Sequence, residues 1–137
     1  QWTLSGFVCW QDGKTLVPMV VGGPPVIEDE LSRVMPLTGS LALRWTHPDE
    51  RFWIEGRILS AGTADELSTA DTADTQRIPT GGTPRYTVAM LHAGWRPTDH
   101  LEFTAGLENI SDEDYRNHGS GQNEPGFNAI VGATVSW

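Results

Sequence analysis

Histidines are the first side chains in this sequence that could bind a metal or transfer a proton. They are His47, His92, His100 and His118, and they fall in different segments of the chain. A zinc site needs histidines or cysteines a few residues apart, and no two of these histidines have that spacing. Residues 118–121, HGSG, lack the first glycine of the Gly-x-Ser-x-Gly nucleophile turn. We therefore predict no metal site and no cofactor, and an ordered turn at 118–121.

Two carboxylates, Glu102 and Glu108, lie on one side of an alternating segment and could act as a general acid and a general base. They stand too far apart along an extended strand to act together on one bond. We expect instead that they are wall charges paired with Arg44 or Arg57, and we predict that the protein is not an enzyme. An enzyme that uses Glu102 and Glu108 is kept as an alternative.

Composition excludes several classes of protein. The net charge of −9 argues against a nucleic-acid partner, because phosphate neutralisation needs a basic surface. The single Cys9 excludes an internal disulfide, and we expect it to be a small buried residue. The sequence contains neither an apolar run long enough for a transmembrane helix nor a signal-peptide pattern. Because residue 1 is Gln and not Met, we expect a mature product or a piece of a longer protein.

In six segments, apolar and polar residues alternate with a period of two, and these segments must position the side chains considered above. They span residues 2–11, 37–46, 52–61, 86–95, 101–109 and 127–137. In the second segment, for example, Leu41, Leu43 and Trp45 alternate with Ser40 and Arg44. The segment 86–95 is apolar on both sides, so its pattern does not orient it. The sequence predicts an all-β fold.

Segment lengths and connections favour a membrane barrel. Strands of soluble proteins are most often about 5–6 residues long, whereas tilted strands that cross a bilayer need about 9–11. Connections 47–50 and 96–100 are short, but 12–36, 62–85 and 110–126 are long. This alternation is typical of outer-membrane barrels, with short periplasmic turns and long extracellular loops. We predict an antiparallel up-and-down transmembrane β-barrel segment of about six strands, in contact with outer-membrane lipid and with its C-terminus in the periplasm.

Aromatic side chains fall at the ends of the predicted strands, where a barrel meets the two membrane–water interfaces. An indole suits that depth because its ring is apolar while its N–H needs a partner. We assign to the periplasmic ends Trp2, Trp45, Phe52, Trp95 and Trp137, and to the outer ends Trp10, Tyr86 and Phe127.

The second half of the chain resembles TonB-dependent outer-membrane receptors. Their C-terminal pattern is Glu-Asn-Leu, Asp, Tyr-Arg, a His-Gly-Ser loop, Pro-Gly-Arg and a last strand that ends in an aromatic residue. It stands here as Glu108-Asn109-Ile110, Asp112, Tyr115-Arg116, His118-Gly119-Ser120-Gly121 and Pro125-Gly126, with Phe127 in place of the arginine. Residues 74–88, DTQRIPTGGTPRYTV, are similar to the start of a late strand in the same family.

This resemblance implies a barrel of about 22 strands with an N-terminal plug. Such a receptor takes up a scarce ligand, for example a metal chelate such as an iron siderophore, cobalamin or a glycan, with energy supplied by TonB. By strand count, residues 1–137 are expected to be the last strands, and the plug that meets TonB is expected to lie outside them. Six strands do not close around a filled interior, for which about eight are needed, so we expect a fragment or a wall completed by other chains.

The resemblance also implies a sorting signal on the last strand, read by the barrel-assembly machinery. By pattern match its residues are Phe127, Val131, Val135 and Trp137. The physical basis is the addition of an edge strand, in which backbone pairing provides affinity and alternate side chains provide specificity.

The long connections carry most of the acidic residues, which weakly disfavours a strongly anionic ligand and is interpreted first as a solvated surface. If the loops contact a small-molecule ligand, we predict that Arg116, His118 and Asn123 do so, because they face the outer mouth. The alternatives are a small soluble all-β binding module and a passive outer-membrane pore.

Overall fold

A computed structural model describes residues 1–17 and 27–137. Part of the predicted connection 12–36 therefore lies outside the described residues. The strands are β1 (Trp2–Cys9), β2 (Lys14–Val17), β3 (Ile27–Glu30), β4 (Thr38–Thr46), β5 (Phe52–Ala61), β6 (Tyr86–Thr98), β7 (Leu101–Glu108) and β8 (Asn128–Val135), and one short helix, α1, spans Thr69–Ala73.

Six strands form one antiparallel sheet in the order β1-β4-β5-β6-β7-β8. Apart from the separate β2–β3 hairpin, each strand pairs with its neighbour in the chain, which is an up-and-down arrangement. The prediction of an all-β, antiparallel, up-and-down fold with six main strands is confirmed. Among the described strands the sheet does not close, so β1 and β8 are its two edges.

Strand β6 is longer than its alternation predicted. It continues beyond Trp95 to Thr98 through an irregularity in its pairing with β7. Pro97 lies in that stretch, where its missing N–H is tolerated because the regular ladder is interrupted. The turn to β7 is therefore confined to Asp99 and His100, shorter than the predicted connection 96–100.

Cross-strand register gathers most of the large apolar side chains on one face of the sheet. Leu4 pairs with Leu43 across β1 and β4, and Leu91 pairs with Leu107 across β6 and β7. Because Leu91 pairs with Leu107, the register also shows which side chains of β6 lie on this face, a question that the sequence pattern of β6 left open. Exposed fractions on this face reach 67% for Leu4 and 85% for Val131. No described segment therefore packs over these side chains, and we call this surface the apolar face.

The opposite face carries the only buried apolar cluster of the sheet in the described ranges. Ala61, Tyr86 and Val88 form it at the end of β5 and the start of β6, and Tyr115 packs against it. The rings of Tyr86 and Tyr115 lie 4.5 Å apart between centroids. This cluster anchors the last long loop to the sheet.

The three long connections leave the same end of the sheet. The first loop (10–37) contains the β2–β3 hairpin, the second loop (62–85) contains α1, and the third loop (109–127) precedes β8. The hairpin and the helix were not predicted, because strands and helices of four or five residues leave little periodicity to detect.

None of the helical structure in the described ranges is long and apolar enough to cross a membrane.

The expected burial of Cys9 is wrong. Its thiol is exposed, because β1 is an edge strand and nothing in the described ranges packs against that part of it.

Two glycines in neighbouring strands provide a test of sheet packing. A methyl group at Gly94 would overlap the indole of Trp53, whereas one at Gly56 would meet nothing within 4 Å. We expect Gly94→Ala to lower the free energy of unfolding by about 1–3 kcal/mol, because a rigid indole must move.

The matched substitution Gly56→Ala should be neutral or raise the free energy of unfolding by up to about 1 kcal/mol. Chemical denaturation of both variants measures the difference. Equal effects of the two substitutions would contradict this account of the packing around Trp53.

Candidate functional site

The end of the sheet that carries the long loops is the candidate site. Loops held on a rigid sheet are where binding residues most often lie. The buried polar side chains of the described ranges are Ser68, Asp71, Thr83, Asn109 and His118, and all of them belong to these loops. The loop end is therefore an organised polar layer rather than a set of independent solvated loops.

Asn109 determines how the third loop leaves β7. Its backbone has a φ of 46°, and its side chain is buried. The amide Nδ2 donates to the carbonyl oxygens of Glu113 at 2.8 Å and Pro125 at 3.1 Å, while Oδ1 accepts from the Glu113 N–H. Asp112 closes the far end of the loop by accepting from the Phe127 N–H at 2.8 Å. Asn109 and Asp112, which belong to the family-like motif, thus shape the loop.

Asp71 links the first loop to the second. Its carboxylate accepts from Ser32 Oγ at 2.6 Å and from the Arg33 N–H at 3.0 Å. Ser68, the N-cap of α1, accepts from the Asp71 N–H at 3.0 Å. Burial by itself would raise the pKa of Asp71, but the hydrogen bonds from Ser32, Arg33 and Ser68 outweigh it and lower the pKa. Asp71 is therefore a charged acceptor that holds the two loops together.

Arg33 contacts both other loops. Its Nη2 lies 2.5 Å from Asp74 Oδ2 in the second loop, and its Nη1 donates to the carbonyl oxygen of Gly119 in the third loop at 3.0 Å. The backbone of Arg33 has a φ of 62°, a left-handed conformation that is uncommon for a residue with a side chain. The contacts of Asp71 and Arg33 together tie three loops from distant parts of the chain into one unit.

Arg116 and Asn123, two of the three predicted ligand contacts, lie together. Arg116 Nε donates to Asn123 Oδ1 at 2.7 Å, and Asn123 Nδ2 donates to Asp114. With Arg85 and Tyr115 they line a cavity of about 160 Å³ that opens beside the third loop. The prediction did not include Arg85.

His118, the third predicted contact, lies elsewhere. It is only 9% exposed, and its Nδ1 lies 2.9 Å from Thr83 Oγ1 in the second loop. Burial lowers the pKa of His118; the nearby carboxylate of Asp71 opposes this shift and the positive charge of Arg33 adds to it. The expectation that His118 faces the outer mouth is wrong, because the residue packs the second loop against the third.

Most of the aromatic residues assigned to the membrane interfaces lie on the apolar face or at its margins. Trp45 and Phe52 have ring centroids 6.1 Å apart, and those of Trp95 and Phe103 are 6.0 Å apart, all at the end with short turns. Four other aromatics assigned to the interfaces are exposed at strand ends, and they are Trp2, Trp10, Phe127 and Trp137. Their placement at a lipid interface stays a prediction.

Tyr86 is the exception among these aromatics. It lies on the face opposite the apolar face, is 6% exposed, and donates from its hydroxyl to Asn117 Oδ1 at 2.9 Å. The assignment of Tyr86 to the outer interface is therefore wrong, since the third loop covers the ring.

The charged residues of the strands pair differently from the prediction. Glu102 lies 3.2 Å from Arg96, and Glu108 lies 2.5 Å from His92, both on neighbouring strands. Arg57 pairs with Glu55 at 3.0 Å. Arg44 instead stacks on the Trp53 ring, 3.8 Å from its centroid. Neither Arg44 nor Arg57 is the partner of Glu102 or Glu108, because the register places other residues beside these carboxylates.

Val131 and Val135, predicted members of the sorting signal, lie on the apolar face of β8 at the edge of the sheet. Phe127 precedes the strand and Trp137 follows it, and both are exposed. His100 Nδ1 lies 3.0 Å from the carbonyl oxygen of Ser136 and holds this end of the chain. Recognition of these side chains by another protein stays a prediction.

In residues 1–17 and 27–137, no three His, Cys, Asp or Glu side chains are arranged to hold a metal ion.

Comparison with known proteins gives the fold but no family. No protein-family model matches the sequence, and no curated protein matches it. Among solved structures, the copper transporter OprC matches with a TM-score of 0.75 and 15% sequence identity, over 99% of this chain and 21% of that chain. The chain therefore spans about a fifth of the length of that structure. At this identity the likeness shows a related fold and no more.

The structure predicts that Asp71 controls the order of the loops. Asp71→Asn replaces a charged acceptor of several hydrogen bonds, and we expect a local cost of about 1–3 kcal/mol. Hydrogen exchange of the Arg33 amide should become faster in this variant. Because folding lowers the pKa of Asp71, the charged carboxylate stabilises the folded state at any pH above the ordinary pKa of aspartate, about 3.9. This stabilisation is lost as the pH falls through the lowered pKa of the folded state.

Asp65→Asn, an exposed position in the same loop, is the control for this substitution. If both variants leave Arg33 equally protected at neutral pH, Asp71 does not hold the loops.

Proposed function

We propose that this chain is a wall segment of an outer-membrane transport protein, of the type formed by TonB-dependent receptors. The observation that carries the proposal is the apolar face, which runs through all six strands in register and is covered by no described segment. Soluble monomers rarely expose one contiguous apolar surface of that extent. Outer-membrane barrels present such a face to lipid.

The opposite face supports the same proposal. It carries the neighbouring side chains Arg57 and Glu55 and the hydrogen-bonded side chains His92 and Glu108, so each of these four polar groups has a partner on the same face. A polar face with paired charges suits the interior of a barrel, which is filled with water or with a plug. In a soluble sandwich the polar face would meet water, and the apolar face would pack against a second sheet. No described segment covers the apolar face here.

The role proposed for the chain is ligand uptake, not catalysis. The strands would form part of the barrel wall. The three loops joined by Asp71 and Arg33 would form part of the outer mouth, where a metal chelate, cobalamin or a glycan would bind. The family resemblance of residues 74–137 supports TonB as the source of energy, acting through a plug outside residues 1–137. The unpaired edges of β1 and β8 support this assignment, because hydrogen-bonding groups at an open edge are not tolerated in lipid and further strands would pair with them.

Two adjacent residues of β1 test the contact with lipid. Leu4 lies on the apolar face and Ser5 on the other, and both are exposed. In a Cys9→Ala background, Leu4→Cys and Ser5→Cys would each be labelled with an environment-sensitive fluorophore in phosphatidylcholine vesicles. We expect brominated lipids to quench the label at position 4 several-fold more strongly than the label at position 5.

Equal quenching at the two positions would contradict the proposed orientation. A protein that stays monomeric at 15.0 kDa without detergent and ignores the vesicles would favour the soluble binding module.

The last strand offers a test of assembly. If the barrel-assembly machinery adds β8 as an edge strand, it reads alternate side chains, and Trp137 shares its parity with Val135. We expect Trp137→Ala to reduce the amount of protein in the outer membrane several-fold, measured by fractionation and immunoblotting.

Ser136→Ala is the matched control, since it keeps the backbone carbonyl that contacts His100 and changes the side chain of opposite parity. Equal membrane levels of the Trp137→Ala variant and the wild type would show that the aromatic residue is not read.

A further inference from the structure

The distribution of partners among the basic side chains singles out two arginines. The sequence has nine lysines and arginines, all in the described ranges. Six of them lie within ion-pair distance of a carboxylate, and Arg44 stacks on Trp53. Arg85 and Arg116 have neither kind of partner among the described residues. The chain has twice as many acidic residues as basic ones, so the lack of a carboxylate partner for both arginines is unexpected.

Both arginines line the same cavity at the loop end. Arg85 lies just before β6 and Arg116 lies in the third loop, so 30 positions of sequence separate two side chains that meet at one cavity. Arg116 is fixed by its Nε, which donates to Asn123 Oδ1. Its two terminal nitrogens have no acceptor among the described residues. A guanidinium held in this way presents a preformed fork, which suits the paired oxygens of a carboxylate or a phosphate.

We propose that this cavity binds an oxyanion, the carboxylate or phosphate group of a molecule that approaches the loop end. Arg116 would hold it through its terminal nitrogens, and Arg85 would supply a second positive charge. Pro84 and the ring of Tyr115 contribute apolar groups to a lining that is otherwise polar. The volume of about 160 Å³ suits one such group and not a whole chelate.

Asp114 opposes an anion in the same cavity. It lines the cavity and accepts a hydrogen bond from Asn123. Its charge would reduce affinity for an oxyanion while its hydrogen bond keeps the Asn123 amide turned so that Oδ1 faces Arg116. The acidic loops around the site act in the same direction, so the local arginines must overcome an unfavourable surrounding field.

The inference deepens the proposed function, because it gives the loop end a ligand class, and it rests on that function for its biological meaning. Its test does not need a membrane. Absence of phosphate binding in detergent would contradict the oxyanion site but not the contact of β1 with lipid. Equal quenching in the vesicle experiment would contradict the contact with lipid but not the oxyanion site.

The test is calorimetric titration of the detergent-solubilised protein with inorganic phosphate at low ionic strength. We expect Arg85→Gln and Arg116→Gln each to weaken binding about threefold to fivefold, since each removes one partly exposed charge. The double variant should lose measurable binding. Arg116→Lys keeps the charge but not the fork, so it should fall between the wild type and Arg116→Gln.

Two further variants separate a site from a general effect of charge. Arg51→Gln removes the same charge at the opposite end of the sheet and should leave phosphate binding unchanged. Asp114→Asn should strengthen binding, because it removes the opposing charge and keeps the acceptor oxygen. The proposal is overturned if the double variant binds phosphate as the wild type does, or if Arg51→Gln weakens binding as much as Arg116→Gln.

A lipid headgroup and a soluble ligand could both supply the oxyanion. Repeating the titration in vesicles that contain phosphatidic acid, against phosphatidylglycerol vesicles of equal surface charge, distinguishes these sources. Weaker phosphate binding with phosphatidic acid alone would identify the phosphate of a lipid headgroup as the occupant. Because phosphatidylglycerol also carries a phosphate, binding in both kinds of vesicle that is as strong as in detergent would identify a soluble ligand.

Discussion

Cross-strand register is the constraint on which the rest of this structure depends. Successive side chains of a strand point to opposite faces, so a slip of one residue would exchange the two faces of that strand. Here the pairs Leu4–Leu43 and Leu91–Leu107 keep the same parity through the sheet. One face is consequently apolar along most of its length, with Ser60 and Thr87 at its loop end. The charged residues of the strands lie on the other face, where most of them pair with each other. The antiparallel up-and-down order of the strands places every long connection at the same end.

The loop end depends on contacts between distant segments rather than on local propensity. Helix α1 has only five residues, and a helix of that length is not stable in isolation. It persists because Asp71 accepts hydrogen bonds from Ser32 and from the backbone of Arg33, while Ser68 caps its first turn. The charge on Asp71 thus supports the helix, the first loop and the position of Arg33 at once. Loss of that charge affects all three elements together.

Alternation in the sequence was sufficient to locate the six main strands to within a few residues, because period two is a local property. It could not orient β6, whose two sides are both apolar, and it assigned Tyr86 to the wrong surface. The partners of Glu102 and Glu108 depend on register, which sequence spacing does not reveal. Likewise, no local pattern connects Arg33 with its ion-pair partner Asp74, or Arg85 with Arg116 at the same cavity, because each pair brings together segments far apart in sequence.

The unpaired edges β1 and β8 have a consequence for any polypeptide that completes the wall. A strand added beside β1 must place apolar side chains level with Leu4 and Val8, and one added beside β8 must do so level with Val131. A neighbour shifted out of phase by one position would bring polar groups to the apolar face. The two edges therefore specify the parity of any strand that pairs with them, and a segment without matching alternation would not continue the apolar face.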